Sequence, residues 1–374
     1  MIIENFADGV ENMKVQVYGT FGPACKSRKI LENMIQNGMT GMRLNLSHAT
    51  LEKSKEYIEN YRLAAASCGV SPQILIDMQG PELRIGDMEE ITLSEGKRVF
   101  LEENKTAVCS EDTDADKDKK QASQKQTSQI EDSISIPVPA AVMSAIKCGM
   151  EVLLDDGKIR IRVETVKEQG AEARVLVGGK LKPHKSIKIV DVNVPMPVLT
   201  EHDLHNIRLA KEYGVTALMQ PFVFSGKDLK EVRQILKSEN AKQLQIFAKI
   251  ENRMGVENLD NILPEADLIV IARGDLGNDM PLWELPVVQK KIENRCKQYG
   301  KPYMVVTQML SSMEQNPIPT RAEVSDIFHA VYYGAEAVMV TGETAVGRYP
   351  SEVIKYMANT AQEAVLYRSS EEMK

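Results

Sequence analysis

The sequence lacks most of the features that mark specialised protein classes. Its five cysteines, Cys25, Cys68, Cys109, Cys148 and Cys296, are scattered, and none is paired as Cys-x-x-Cys. That excludes a disulfide framework or a cysteine zinc site as the organising element, and fits the reduced thiols of a cytoplasmic protein. No run of about 18 apolar residues occurs, so no membrane span is expected. The start, Met1-Ile2-Ile3-Glu4-Asn5, lacks the basic-then-apolar pattern of a signal peptide. There is no surplus of positive charge: 46 Lys and Arg face 53 Asp and Glu, a net charge of −7. Without a concentrated basic stripe, nucleic-acid polymers are not expected partners. No glycine-rich dinucleotide turn follows a strand pattern, which counts against an open doubly wound sheet.

What remains is an ordinary soluble composition, 43% hydrophobic and 26% charged, over 374 residues. That length exceeds a single ordinary core. Eight short β-rich apolar runs recur at 14–19, 41–46, 73–77, 217–223, 244–250, 268–272, 303–307 and 337–341. Helical patterns follow them, at 27–37, 51–68, 201–213, 227–238, 256–263, 285–299, 321–333 and 351–367. Eight alternations point to an α/β fold, a (β/α)8 barrel. More than a hundred residues interrupt the rhythm after the third run. There, 91–101, 151–154, 159–166 and 173–177 read as short strands with turns such as Asp155-Asp156-Gly157. The expected organisation is a barrel in two parts, 1–86 and 191–374, with a small all-β domain at 87–190. Within that insert, 102–132 is polar and charged and reads as a solvated loop.

Chemistry concentrates at two expected strand ends. Glu251 closes Phe247-Ala248-Lys249-Ile250-Glu251, and Asp275 closes Ile271-Ala272-Arg273-Gly274-Asp275. Strand, helix and strand make the two strands parallel neighbours, so both carboxylates leave the same sheet end, within reach of one divalent metal. Lys249 lies two residues before Glu251 and points to the same side. A carboxylate pair beside a lysine at the carboxyl end of parallel strands suggests work on a phosphorylated or anionic substrate. A surface ion pair between Lys249 and Glu251 is the bland alternative. Arg273 is open between a site role and bracing its loop.

Eight blocks, in order and spanning nearly the whole chain, carry a closer likeness. They are Gly19-Thr20-Phe21-Gly22-Pro23-Ala24, Met42-Arg43-Leu44-Asn45-Leu46-Ser47-His48, Asp77-Met78-Gln79-Gly80-Pro81-Glu82-Leu83-Arg84, Lys249-Ile250-Glu251-Asn252, Ala272-Arg273-Gly274-Asp275-Leu276-Gly277, Thr307-Gln308-Met309-Leu310-Ser311-Ser312-Met313, Pro319-Thr320-Arg321-Ala322-Glu323-Val324-Ser325-Asp326 and Thr341-Gly342-Glu343-Thr344-Ala345. Together they resemble the pyruvate kinase family, whose barrel carries an inserted β domain after its third strand. The family's usual C-terminal domain, which holds a sugar-phosphate effector site and a subunit interface, has no counterpart here, so regulation of that kind is not expected.

The resemblance implies a glycolytic phosphotransferase with an alcohol group as acceptor, turning phosphoenolpyruvate and ADP into pyruvate and ATP. It implies Glu251 and Asp275 as ligands of Mg2+ (or Mn2+), and Lys249 and Arg43 at the transferred phosphoryl group. Ala272, Gly274 and Asp275 would receive the substrate carboxylate, and Thr307 would relay a proton at the enolate face. Asn45, Ser47, Asp77 and the carbonyl of Met78 would hold K+, with Glu82 matching members that require it. His48, Asp156 and Lys185 would contact the nucleotide, and Arg84 would support the phosphate loop. A cytoplasmic homodimer through the barrel is compatible with this pattern.

Several positions depart from it. Gln79 stands for a lysine, Met78 for a threonine, Pro221 and Phe224 for serine and arginine, and 186–190 for the family's lid stretch. A non-catalytic metabolite-binding relative, or a different enol phosphate or acceptor, are the alternatives these departures leave.

Overall fold

The computed structural model describes residues 15–47, 49–104, 134–190, 192, 194 and 196–372. These divide into two compact units, Met1–Pro81 with Pro197–Lys374, and Glu82–Met196. In the first, eight parallel strands close into a barrel: β1 (Gln16–Thr20), β2 (Gly41–Asn45), β3 (Gln73–Asp77), β12 (Ala217–Gln220), β13 (Gln245–Ile250), β14 (Leu268–Ala272), β15 (Tyr303–Val306) and β16 (Ala337–Met339). Each pairs with its sequence neighbour in the barrel, and β16 returns to β1. The α/β barrel with an inserted β unit after its third strand is thus the observed fold.

Two-residue alternation sorts the strand side chains. Tyr18, Leu75, Met219, Phe247, Val270, Ala272, Met304, Val306 and Met339 fill the barrel interior. The intervening residues, among them Met42, Ile74, Ile76, Leu218, Ile246 and Ile269, pack outward against the helices. Both faces of each strand are therefore buried, which explains the near-continuous apolar runs. Toward the amino end of the strands, the Tyr18 hydroxyl lies 2.9 Å from Gln16 Oε1 and 2.7 Å from Gln73 Oε1. The helices start at defined caps: Thr200 and Thr320 each form a capping box, with Asp203 and Glu323.

The second unit is a six-stranded sheet and a two-stranded sheet around a separate core that includes Leu101, Ile136, Val152, Ile161 and Val175. Its strands are β4 (Ile91–Leu93), β5 (Arg98–Glu103), β6 (Ile134–Val138), β7 (Glu151–Leu154), β8 (Ile159–Lys167), β9 (Gly170–Val177), β10 (Gly179–Leu181) and β11 (Ile187–Ile189). The expected strand at 91–101 is two strands, broken by a turn in which Gly96 takes φ +79°. The Asp155-Asp156-Gly157 turn joins β7 to β8 as read, with Asp156 at φ +55° and Gly157 at φ +81°.

No helix among the described residues is long and apolar enough to cross a membrane. The sole tryptophan, Trp283, is 80% exposed, beside Leu282, just before the helix Leu285–Tyr299.

Candidate active site at the carboxyl ends of the barrel strands

Inward positions turn polar at the carboxyl ends of the strands. Alternation from Phe247 carries Lys249 inward on β13 and Glu251 just beyond it. The chain then turns at once, because the Asn252 side chain accepts from Gly255 N (2.7 Å) and caps the helix Arg253–Glu257. Across the barrel, Met219 is in register with Asp77, and Asn45 with Asp77 on the other side. Lys249 reaches past β12 to this point.

The result is a buried cluster of alternating charge. Lys249 Nζ lies 2.7 Å from Glu251 Oε1 and 3.5 Å from Asp77 Oδ1. Arg43 donates from Nε (2.9 Å) and Nη2 (2.5 Å) to Asp77 Oδ2 and from Nη1 to Thr20 Oγ1 (3.4 Å). Side-chain exposure is 15% for Lys249, 5% for Asp77 and 2% for Glu251. The Lys249–Glu251 pair anticipated as a surface alternative thus exists, but it is buried. Burial pushes the Lys249 ammonium toward deprotonation, and the carboxylates of Asp77, Glu251 and Asp275 outweigh that and hold it well above the ordinary lysine range. Burial likewise raises Asp77, but the charges of Lys249 and Arg43 win and keep it below the usual carboxylate range. Lys249 is therefore a fixed positive charge at neutral pH and not a general base.

Glu251 Oε2 accepts from Phe222 N (2.8 Å), and its buried Oε1 faces the Lys249 ammonium at 2.7 Å. A buried carboxylate oriented by a backbone N–H suits a hard divalent cation. Asp275 stands in the first turn of the helix Arg273–Asn278, directly after β14. No group of three or more His, Cys, Asp or Glu that could hold a metal occurs among the described residues. Two carboxylates, with water and substrate oxygens completing the shell, fit Mg2+.

Of the residues expected at K+, Asn45 Oδ1 accepts from Ser47 N (3.1 Å), and Asp77 is already engaged by Arg43 and Lys249. Met78 is buried, and its N–H is bonded to Met219 O. Ala272 ends β14, and Gly274 passes beneath Thr307: a Cβ on Gly274 would meet Thr307 Cγ2 at 3.0 Å. Thr307 was expected to end its strand, but β15 stops at Val306 and Thr307 turns out of it at φ +77°. Arg273 donates to the Thr307 carbonyl from Nε (3.2 Å) and Nη2 (2.8 Å) and pairs with Asp326. In this geometry its guanidinium braces the loop.

His48 lies outside the described residues. Asp156 and Lys185 belong to the second unit. There Asp156 N and Oδ1 bond Ser186 Oγ (2.8 and 2.7 Å), and Lys185 pairs with Asp155 at 2.8 Å. In the same unit Arg84 donates to His184 O and pairs with Glu82.

Three supporting groups were missed. Asp203, fully buried, accepts from Gln79 N (2.8 Å), Gly80 N (3.1 Å) and Thr200 N (2.9 Å), fixing the loop after β3. The Thr200-x-x-Asp203 spacing of a capping box was the available signal. Glu343 accepts from Leu310 N and Thr341 N. The Phe222 N–H that orients Glu251 left no trace in the sequence. Gly80 needs to be glycine: it takes φ +62°, and a Cβ would sit 2.5 Å from Pro221 Cγ. Gly80→Ala is expected to lose about 1–3 kcal/mol by strain and overpacking, measured by urea unfolding.

A family model described as "Pyruvate kinase, barrel domain" matches residues 12–354. A pyruvate kinase of Geobacillus stearothermophilus is 38% identical over 352 residues, 93% of this chain and 56% of that protein. Those of Bacillus licheniformis (36%; 93% and 56%) and Staphylococcus haemolyticus (35%; 94% and 57%) are similar. The chain spans little more than half the length of these curated relatives. With a closed parallel barrel, an inserted β unit and a matching model over most of its length, this chain belongs to the pyruvate kinase barrel-domain family.

Proposed function

We propose that this chain is a pyruvate kinase-type phosphotransferase that moves the phosphoryl group of phosphoenolpyruvate to ADP and leaves pyruvate. The observation that carries this is the buried Lys249 ammonium between Asp77 and Glu251 in the barrel mouth. Its permanent charge suits stabilisation of a phosphoryl group in transfer, in a site where low dielectric strengthens each interaction. Arg43, locked in orientation by Asp77, offers its guanidinium to the same phosphoryl oxygens. Ala272, Gly274 and Asp275 form the turn that receives the substrate carboxylate, and Thr307 supports protonation of the enolate.

Glu251 and Asp275 are the proposed ligands of Mg2+ or Mn2+. An ion held there would supply positive charge that offsets negative charge developing during the transfer. Asn45, Ser47, Asp77 and the Met78 carbonyl are the proposed K+ ligands. His48, Asp156 and Lys185 are the proposed nucleotide contacts. A cytoplasmic location is supported by free thiols at Cys25, Cys68, Cys148 and Cys296. A homodimer remains part of the proposal, to be tested by sedimentation.

The test is pyruvate release from phosphoenolpyruvate by purified protein, omitting ADP, Mg2+ and K+ in turn. Turnover that needs ADP and Mg2+ is expected. No pyruvate under saturating conditions, with phosphoenolpyruvate still raising the melting temperature, would identify a metabolite-binding relative instead.

A further inference from the structure

The proposed chemistry leaves Arg273 unused, although it lies between two site residues. Its side chain is only 11% exposed. Nε and Nη2 both donate to one acceptor, the Thr307 carbonyl, at 3.2 and 2.8 Å. Nη1 donates to Asp326 Oδ1 at 2.8 Å, and Nη2 lies 2.8 Å from Oδ2. Asp326, on the helix Arg321–Tyr332, thus fixes the plane of the guanidinium.

The group being held is strained. Thr307 takes φ +77° and Gln308 φ +57°. A β-branched residue in the left-handed region costs about 1–3 kcal/mol and persists only when its surroundings over-determine it. Two donors on the Thr307 carbonyl fix the peptide plane that follows it. Gly274 supplies the complementary condition: its missing Cβ leaves room for the Thr307 side chain, whose Cγ2 and Oγ1 would lie 3.0 and 3.7 Å from a Cβ there. One turn of chain therefore both admits Thr307 and locks it.

We propose that Arg273 and Asp326 are a positioning pair that holds the Thr307 side chain against Gly274, and that they serve protonation of the enolate rather than transfer of the phosphoryl group. This rests on the phosphotransferase activity proposed above. After phosphoryl transfer, the enolate of pyruvate takes a proton at its methylene carbon from water hydrogen-bonded to Thr307 Oγ1. The methylene carbon gains a C–H bond and becomes a methyl group, the carbon–carbon double bond becomes single as the enolate oxygen becomes a ketone, and the hydroxide left by the donor water is reprotonated from solvent, with no change of redox state.

The experiment compares wild type, Arg273→Lys, Asp326→Asn, Thr307→Ala and Arg273→Lys/Thr307→Ala. Pyruvate formation from phosphoenolpyruvate is measured beside exchange of pyruvate methyl hydrogens in D2O, with ATP and Mg2+ present, by proton NMR. Lysine keeps the charge but cannot hold both carbonyl and carboxylate with a planar fork. Arg273→Lys and Asp326→Asn should each slow methyl exchange by about 10- to 100-fold, with KM for phosphoenolpyruvate within about 2-fold. Arg273→Lys should add nothing once Thr307 is alanine. Unchanged exchange, an additive loss in the double variant, or a loss confined to KM would overturn the proposal. A crystal structure of Asp326→Asn reads the brace without activity. Thr307 relaxing to negative φ supports it, and Thr307 unmoved refutes it. A wild type that neither forms pyruvate nor exchanges its methyl hydrogens, beside a relaxed Thr307 in the variant, would refute the reaction and retain the brace.

Discussion

Pyruvate formation is expected to fall by about three orders of magnitude or more when Lys249 is replaced by methionine. Removing one preorganised hydrogen-bond donor from a charge-stabilising site costs about 10²- to 10³-fold, and Lys249 contributes a full charge as well as a donor. Its ammonium is buried against Asp77 and Glu251, so no solvent cation takes its place at the same geometry. Arginine keeps the charge but spreads it over a planar fork that does not fit the space of an ammonium, so Lys249→Arg should also lose most activity. The methionine change leaves the Glu251 charge facing only the Phe222 N–H, so the melting temperature of each variant is measured beside its rate. Loss of rate in both, with the fold intact, identifies the ammonium as the active element. Methionine at near wild-type rate would remove Lys249 from the mechanism.

The second large effect falls on stability. Asp77 is the shared counter-ion of Arg43 and Lys249, and all three are mostly buried. Removing one partner of such a cluster strands charge in low dielectric, which typically costs about 3–5 kcal/mol. Asp77→Asn keeps one acceptor oxygen, so about 3 kcal/mol is expected, or a melting temperature lower by on the order of 10 °C. A loss under about 1 kcal/mol would mean the cluster behaves as a solvated surface pair.

The pH dependence has a definite sign. Asp77 is depressed in the folded state, so its contribution is complete above the unfolded carboxylate value near ~3.9 and is lost as pH falls through the lower folded value. Lys249 is raised, so its contribution is complete below the unfolded value near ~10.4 and is lost only as pH climbs through the higher folded value. The stability gap between wild type and Asp77→Asn should therefore be flat from about pH 5 to 9 and shrink in acid. A gap that closed between pH 6 and 8 would contradict both shifts.

The barrel was legible because its strands are buried on both faces. The runs 73–77 and 268–272 and the helix at 285–299 have the bounds the structure shows. The lysine and its carboxylate neighbour at the end of β13 were legible for the same reason, since alternation alone sends Lys249 and Glu251 inward. The inserted unit was less so. β10 and β11 have three residues each and exist through their partners β4 and β7, which local sequence does not reveal. β6 contains Pro137 and was passed over; it lies at the sheet edge, where proline is tolerated. The helix expected at 256–263 is two short helices, Arg253–Glu257 and Leu259–Ile262, because the Asn252 cap starts the first one early. The positive φ of Thr307 was illegible because threonine has no preference for it. Its carbonyl is held by Arg273, 34 positions away in sequence.

Trp283 has a practical consequence for following this protein's unfolding. As the sole indole, and already mostly in water, it should emit like a free solvated chromophore in the native state. Loss of the barrel core would then leave its emission maximum nearly unchanged. Tyrosines such as Tyr18, Tyr61 and Tyr303, all deeply buried, are the chromophores that change environment when the barrel opens. Near-ultraviolet difference absorbance of tyrosine, rather than tryptophan fluorescence, is the optical signal that reports on that core.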